Sequence, residues 1–309
     1  MNIAVLGTGF GAYHVELYSQ MPNVDKIIVW GRNVEKLREL QSKFHVETTD
    51  DMVTIWEDKQ IDLADICLPN HMHKEIGIKA LQAGKHIFME TPVAESEEDA
   101  AAILKTAEQC GRRVFVDLFL RYEYPYQFLY ELVKSNSYGM LKELLVKRET
   151  PPWWGNLDTQ HIGLNFMIHD VDFVVRLMGE PDNVSADGID VREGQSLVTA
   201  RFDYKDAAAF IRGASAMPGK YPFSVGYEAV FEGAAVRYYE DGYDGQINTK
   251  LEVFCNENKK EISLPQANCY AQVMNHVLEC LMTKEYSCLD IKEAIRSLKV
   301  LLWMNEKLK

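Results

Sequence analysis

The sequence has 309 residues, 47% of them apolar and 26% charged, which is the balance of an ordinary globular chain with room for two domains. A formal net charge of −13 with no compensating basic block argues against a nucleic-acid partner. No apolar run approaches the roughly 20 residues of a membrane helix, so no membrane partner is expected.

The first strand-like run, Asn2 to Leu6, begins so early that no signal or transit peptide is expected, and the cytoplasm is the expected location. Gly7-Thr8-Gly9-Phe10-Gly11-Ala12 follows, opening into a helix read over Tyr13–Met21. Glycines in such a strand–turn–helix let the chain turn tightly and let backbone amides approach a pyrophosphate at a helix N-terminus. Ala12 stands at the last glycine place of the usual pattern. The competing reading is a plain tight βα turn. Strands are then read at Lys26–Trp30, Leu63–Leu68, His86–Met89 and Arg113–Asp117. Helices are read at Val34–Phe44, His73–Ala83 and from the Ser96 cap to Cys110. This βαβ rhythm predicts a parallel, Rossmann-type sheet over residues 1–120.

The pattern changes after Leu120–Arg121. Helices are expected near Tyr124–Ser135 and Ile162–Met178. Period-two alternation at Val198 to Tyr204 and Val225 to Phe231 predicts an open, mostly antiparallel sheet. Helices near Tyr270–Thr283 and Asp290–Lys307 close the chain. The fold class is therefore α/β: an N-terminal dinucleotide-binding Rossmann domain and a C-terminal α/β domain, residues 121–309, for substrate binding and oligomerisation.

At the end of the second strand, an acid would accept from ribose hydroxyls; here Gly31 stands at that place, followed by Arg32 and Asn33. Loss of the acid with a nearby arginine favours NADP, with NAD the second choice. Arg32 is otherwise a solvated loop charge. Leu68, Pro69, Asn70 and His73 lie at the carboxyl end of another strand, where such folds bind ligands, and are read as cofactor neighbours. The alternatives are a helix cap for Asn70 and a surface position for His73.

These pieces together resemble the Gfo/Idh/MocA family of glucose–fructose oxidoreductase and inositol dehydrogenase. The matches are Gly7 to Gly11, Leu68-Pro69-Asn70 with His73, Gly84 to Pro92, Ile168 to Asp172, Gly179-Glu180-Pro181, Pro218 to Phe223 and Leu289-Asp290. The resemblance implies hydride transfer between a nicotinamide and a sugar, sugar derivative or cyclitol, in homodimers or homotetramers formed through the C-terminal sheet. It also adds Phe10 and Glu90 to the cofactor residues. Two departures stand out. The family's usual Glu-Lys-Pro is Glu90-Thr91-Pro92 here, and the aspartate usual four residues before its histidine is Asn165 before His169. Met167 stands where a glycine is usual.

His161, Asn165 and His169 fall at i, i+4 and i+8, with Asp172 one turn on, which predicts one polar stripe on an apolar helix. Alcohol oxidation needs a group to take the hydroxyl proton, and histidine suits that task. His169 is the expected acid/base residue, with Asn165 as its helper and Thr91 at the lysine place. Arg121, Tyr122, Trp153, Trp154 and His161 are the expected substrate residues; the tryptophans are read equally as interface or core. No metal is expected. The alternative function is a dinucleotide-binding sensor or scaffold in which the altered positions have cost the chemistry.

Overall fold

Mostly apolar runs form the central strands of the first sheet because both of its faces are covered. The computed structural model describes residues 1–308. It contains β1 (Asn2–Leu6), α1 (Gly11–Tyr18), β2 (Lys26–Trp30), α2 (Val34–Phe44), β3 (Glu47–Thr49), α3 (Met52–Glu57) and β4 (Leu63–Ile66). Next come α4 (His73–Gln82), β5 (His86–Met89), α5 (Glu97–Cys110) and β6 (Val114–Val116). The six strands lie in the order β3-β2-β1-β4-β5-β6, and every pair is parallel. This is the expected Rossmann sheet, whose order reverses beside β1, so the crevice between the ends of β1 and β4 is the ligand-binding place of the fold.

Local signals fix several boundaries. Asn33 caps α2 by accepting from the amides of Glu35 and Lys36 at 3.0 and 3.1 Å. Ser96 caps α5 by accepting from Asp99 N at 3.1 Å, and Gly111 ends it in the left-handed region. The first helix starts at Gly11, two residues earlier than its apolar pattern suggests.

By contacts the chain divides into two compact units, residues 1–118 with 270–295, and residues 119–269 with 296–309. The second unit contains α6 (Tyr124–Ser135), β7 (Leu141–Glu149), α7 (Ile168–Met178), β8 (Asn183–Arg192), β9 (Gln195–Tyr204) and β10 (Ala207–Ala214). It continues with β11 (Phe223–Phe231), β12 (Ala235–Tyr243), β13 (Gln246–Phe254) and β14 (Lys259–Ile262). The strand order is β14-β13-β12-β11-β7-β10-β9-β8. Only β7 and β10 pair in parallel, so the sheet is mostly antiparallel as expected. The alternation is realised: Val198, Ala200 and Phe202 are buried, as are Val225, Tyr227, Ala229 and Phe231. On the covered face Tyr126 of α6 meets Phe173 of α7 and the strand residues Tyr227 and Tyr238 at 4.7–5.7 Å between ring centroids. The opposite face exposes Leu145 beside Lys147.

The chain closes with α8 (Cys269–Thr283) and α9 (Ile291–Asn305). Residues 270–295 extend the first unit at the β6 edge, where Val116 N donates to Leu289 O at 2.8 Å and Phe115 bridges Asp290. Among the described residues no helix is long and apolar enough to cross a membrane.

One expectation about the second unit is corrected. The helix read over Ile162–Met178 is helical throughout, but not α-helical throughout: Gly163–Met167 forms a π-helical turn before α7 begins at Ile168. The wider turn sits where Gly163 has Asn305 against its backbone (a Cβ there would lie 2.1 Å from Asn305 Oδ1) and where Met167 fills the space above Gly213. The i, i+4, i+8 register of His161, Asn165 and His169 is therefore broken, as such a turn needs more residues per revolution than an α-helix.

Candidate functional site

Three glycines after β1 do three different things. Gly7 has φ +123°, and a Cβ on it would lie 2.3 Å from the Cys67 carbonyl oxygen, so only glycine lets β1 leave its strand so close to the end of β4. Gly9 has open space where a side chain would begin. Gly11 packs close, its Cβ place 3.1 Å from Val5 and 3.2 Å from Cys67. Close helix–strand packing thus falls to Gly11, while Ala12 is half-buried. The Ala12 and Tyr13 amides close turns onto the Gly9 and Phe10 carbonyls at 3.1 and 2.9 Å. Those of Gly9 and Phe10 make no hydrogen bond among the described residues. A cradle of free amides, with room above it and a helix N-terminus behind it, fits a dinucleotide pyrophosphate.

At the end of β2, Gly31 lies beneath the turn: a Cβ would meet Thr8 Cγ2 at 2.5 Å. A side chain there, an acidic one included, would require the Thr8 side chain to shift. Arg32 is exposed and unbonded among the described residues, whereas Asn33 is taken up as the α2 cap. Leu68 and Asn70 are half-buried and Pro69 exposed at the end of β4. His73 differs from its expected place beside the cofactor. It is fully buried, and its ring nitrogens lie 2.8 Å from the Pro92 and Leu68 carbonyl oxygens, so it ties α4 to the two loops that follow β4 and β5. Glu90 and Thr91 are half-buried directly after β5.

Beneath this edge lies a polar cluster that pattern reading passed over. His14 of α1 is fully buried, with Nδ1 2.8 Å from Asp65 Oδ2 and Nε2 3.3 Å from Glu90 Oε1. Cys67 Sγ lies 3.3 Å from the same Nδ1. Asp117, which follows β6, is 1% exposed, and burial followed by the charge of Glu90 raises its carboxyl well above the usual range. The available signal was an aspartate inside the apolar run Leu63-Ala64-Asp65-Ile66.

In the second unit, α7 is pinned by two buried ion pairs. Arg148 of β7 is bidentate to Asp170, at 2.7 and 3.0 Å. Arg121 is bidentate to Asp172, at 2.9 and 2.6 Å, and Ser297 Oγ donates to Asp172 Oδ1 at 2.6 Å. Arg121 was expected to contact substrate; it is 4% exposed and its guanidinium is committed to this pair, so it positions α7 instead. His169, immediately before Asp170 in sequence, is half-buried against the Phe119 ring at 4.9 Å between centroids. Neither ring nitrogen is hydrogen-bonded among the described residues. Burial and then the Arg148 guanidinium push its pKa down to about 3, so the ring is neutral near neutral pH and presents a nitrogen that can accept a hydrogen bond.

Asn165 is exposed on the π-turn. His161 is also exposed and sits 2.6 Å from Asp158 Oδ1. Trp153 and Trp154 are 51% and 58% exposed, which removes the core reading. Trp154 tilts against Phe223 at 6.0 Å, and Phe223 also meets Phe166 of the π-turn. Tyr122 is half-buried. A further network was not foreseen: Glu149 accepts from Tyr221 Oη at 2.6 Å and from Arg212 Nε at 2.8 Å, and burial with the Glu149 hydrogen bond pushes Tyr221 up to about 12.

Residues 1–118 match the family model described as an oxidoreductase family with an NAD-binding Rossmann fold. The chain is 26% identical to myo-inositol 2-dehydrogenase of Thermotoga maritima over 61% of its own length and 58% of that protein. It is 29% identical to 2,7-anhydro-N-acetylneuraminate hydratase of Escherichia coli over 61% of its length and 52% of that protein. The matched stretch thus spans between half and three-fifths of these relatives. In structure the chain resembles UDP-N-acetylglucosamine 3-dehydrogenase of Acidithiobacillus ferrooxidans with a TM-score of 0.85, at 18% identity, over 100% of this chain and 97% of that one.

The glycine geometry separates folding from binding. Gly7→Ala forces a strained backbone against Cys67 and is expected to cost about 1–3 kcal/mol of stability. Gly9→Ala is expected to leave stability within about 0.5 kcal/mol while weakening dinucleotide binding. Thermal melts paired with NADPH fluorescence titrations check both.

Proposed function

We propose that the chain, whose residues 1–118 match the Gfo/Idh/MocA oxidoreductase family model, is a member of that family and an NADP-preferring oxidoreductase acting on a sugar, sugar derivative or cyclitol. The observation that carries this reading is the glycine cradle, where Gly7 is forced by the neighbouring strand and Gly9 is left open. The cofactor, when bound, supplies the hydride acceptor or donor. Gly9, Phe10 and Gly11 would hold its pyrophosphate, with Leu68, Pro69, Asn70 and Glu90 along the same strand ends. The closure of Gly31 against Thr8 and the exposure of Arg32 support a 2′-phosphate over a bare ribose.

His169 is the proton-handling residue of the second unit. Its free ring nitrogens and neutral state let it accept a hydrogen bond from the substrate hydroxyl, and charge developing on that oxygen as hydride leaves would have to raise its proton affinity for it to take the proton. The Arg148–Asp170 and Arg121–Asp172 pairs hold its helix in register. Asn165 assists it, and the exposed Trp153 and Trp154 with Tyr122 and His161 offer aromatic faces and polar edges to a polyhydroxylated ring. Thr91 carries no charge to stabilise an alkoxide, so turnover is slow relative to a lysine-bearing relative.

Copies of the chain associate through the sheet face opposite α6 and α7. That face holds a depression of 940 Å³ lined by Lys147, Arg212, Glu228, Arg237 and Tyr239, among others, and exposes Leu145 at 40%. Mixed charges around an apolar centre suit a self-complementary contact. Sedimentation velocity is expected to give a dimer or tetramer, and Leu145→Glu is expected to shift it towards monomer.

Arg32→Ala is expected to weaken NADPH binding about tenfold with little effect on NADH; equal losses remove Arg32 as the selector. Across a panel of sugars, keto-sugars and cyclitols, His169→Asn is expected to lower kcat by about 10²–10⁴. The His169-dependent rate should show no acid limb between about pH 8 and about pH 5, because a depressed pKa keeps the ring neutral there. Cofactor binding with no turnover on any of these substrates supports the sensor reading instead.

A further inference from the structure

Among the described residues, the buried cluster under the glycine turn is polar beyond what the fold requires. His14 comes from α1, Asp65 from the middle of β4, Cys67 from just beyond it, Glu90 from the end of β5 and Asp117 from the end of β6. The His14 ring is stacked on Phe88 at 5.8 Å and 18° and meets Phe10 edge-on at 5.1 Å and 67°. Its Nδ1 faces Asp65, which fixes a proton on that nitrogen. Its Nε2 faces Glu90 Oε1 at 3.3 Å; both atoms are buried, and neither has another hydrogen-bond partner. A bare nitrogen lone pair opposite a carboxylate oxygen is repulsive, so a positive charge must lie between them, either a proton or a metal ion.

The donor set decides for the proton. His14, Cys67 and Glu90 have ligand atoms within 4.8 Å of one another. Cys67, however, sits beside Nδ1, which is already committed to Asp65, while Glu90 sits beside Nε2. A metal on Nε2 would keep only His14 and Glu90 of this set, fewer than the three protein ligands of an ordinary site. Burial alone would lower His14, but the carboxylate of Asp65 and then Cys67 outweigh it and hold the ring well above its usual value. Cys67, Asp117 and Tyr18 are all pushed towards their neutral forms, chiefly by burial.

We propose that His14, locked by Asp65, is the positioning residue that clamps one oxygen of Glu90 and so presents the rest of that carboxylate to the nicotinamide end of the bound dinucleotide. The Glu90 side chain is 21% exposed although Oε1 is buried, so it has one end in the clamp and one towards solvent. The buried imidazolium also puts a positive charge behind Glu90-Thr91, the place from which the family's lysine is missing. This inference rests on the dinucleotide-binding reading above.

The test uses the full-length protein with ¹⁵N-labelled histidine. Ring-nitrogen spectra from about pH 6 to about pH 9 are expected to show His14 protonated on both nitrogens through neutrality. Glu90→Gln, a half-buried and fold-tolerant change, is expected to lower its titration midpoint by about one unit or more. In parallel, NADPH titrations should show wild-type affinity falling as pH rises through the His14 midpoint. Glu90→Gln should bind more weakly and lose that dependence. A His14 that is neutral at neutral pH, or whose midpoint ignores Glu90→Gln, overturns the clamp. So does a stoichiometric transition metal in the purified protein whose removal by chelator shifts the His14 signals. If wild type binds neither NADPH nor NADH, the dinucleotide reading fails, and the histidine spectra still judge the clamp separately.

Discussion

The approach of Gly7 to the Cys67 carbonyl is the constraint on which the nucleotide end depends. With a Cβ place only 2.3 Å from that oxygen and a φ of +123°, residue 7 has to be glycine. Because β1 and β4 end that close together, Thr8 rests on Gly31 and Gly11 rests on Val5 and Cys67. The turn is thus packed from below on three sides and open only at Gly9. The same approach brings α1 over β4, so the fully buried His14 meets the fully buried Asp65 beside the half-buried Cys67. The cradle and the buried cluster are two faces of one packing solution.

The second unit solves a different problem with the same economy of parts. A histidine with free ring nitrogens can act only if its helix does not drift, and α7 begins in a π-turn, a weak start for a rigid element. Asp170 and Asp172, one and three residues after His169, anchor the helix through bidentate guanidinium pairs to β7 and to the segment before α6. Removing one partner of such a pair leaves a buried charge, typically at several kcal/mol, so the cost of disorder here is high. One of those pairs also sets the ring's chemistry, since Arg148 depresses His169. Stability and proton affinity are coupled at this site.

Much of the fold was legible because its signals are local. Apolar runs and caps such as Asn33, Ser96 and Gly111 mark β2, α2 and the end of α5 to the residue. The alternation at Val198–Tyr204 and Val225–Phe231 correctly announced an antiparallel sheet. β10 was not singled out, because Ala207-Ala208-Ala209 has no contrast between its two faces. For the candidate site, sequence supplied residue types but not directions. His73 and Arg121 have chemistry suited to ligands, yet both turn inward, and Arg121 meets Asp172 from 51 residues away. The π-turn was likewise invisible, since it depends on Asn305 and Gly213, far along the chain. His14 was hidden for the same reason: its partners come from β4 and from the ends of β4 and β5, more than 50 residues along the chain.

The central claim is that the chain still moves hydride although Thr91 and Asn165 replace charged residues. Transfer of deuterium from labelled NADPH tests it most directly. The protein is incubated with a panel of keto-sugars and oxidised cyclitols, and the products are examined by mass spectrometry. The account predicts label on a carbinol carbon of at least one product, at a rate that falls when His169 is replaced. NADPH that binds to the protein but leaves every member of the panel unlabelled would contradict it.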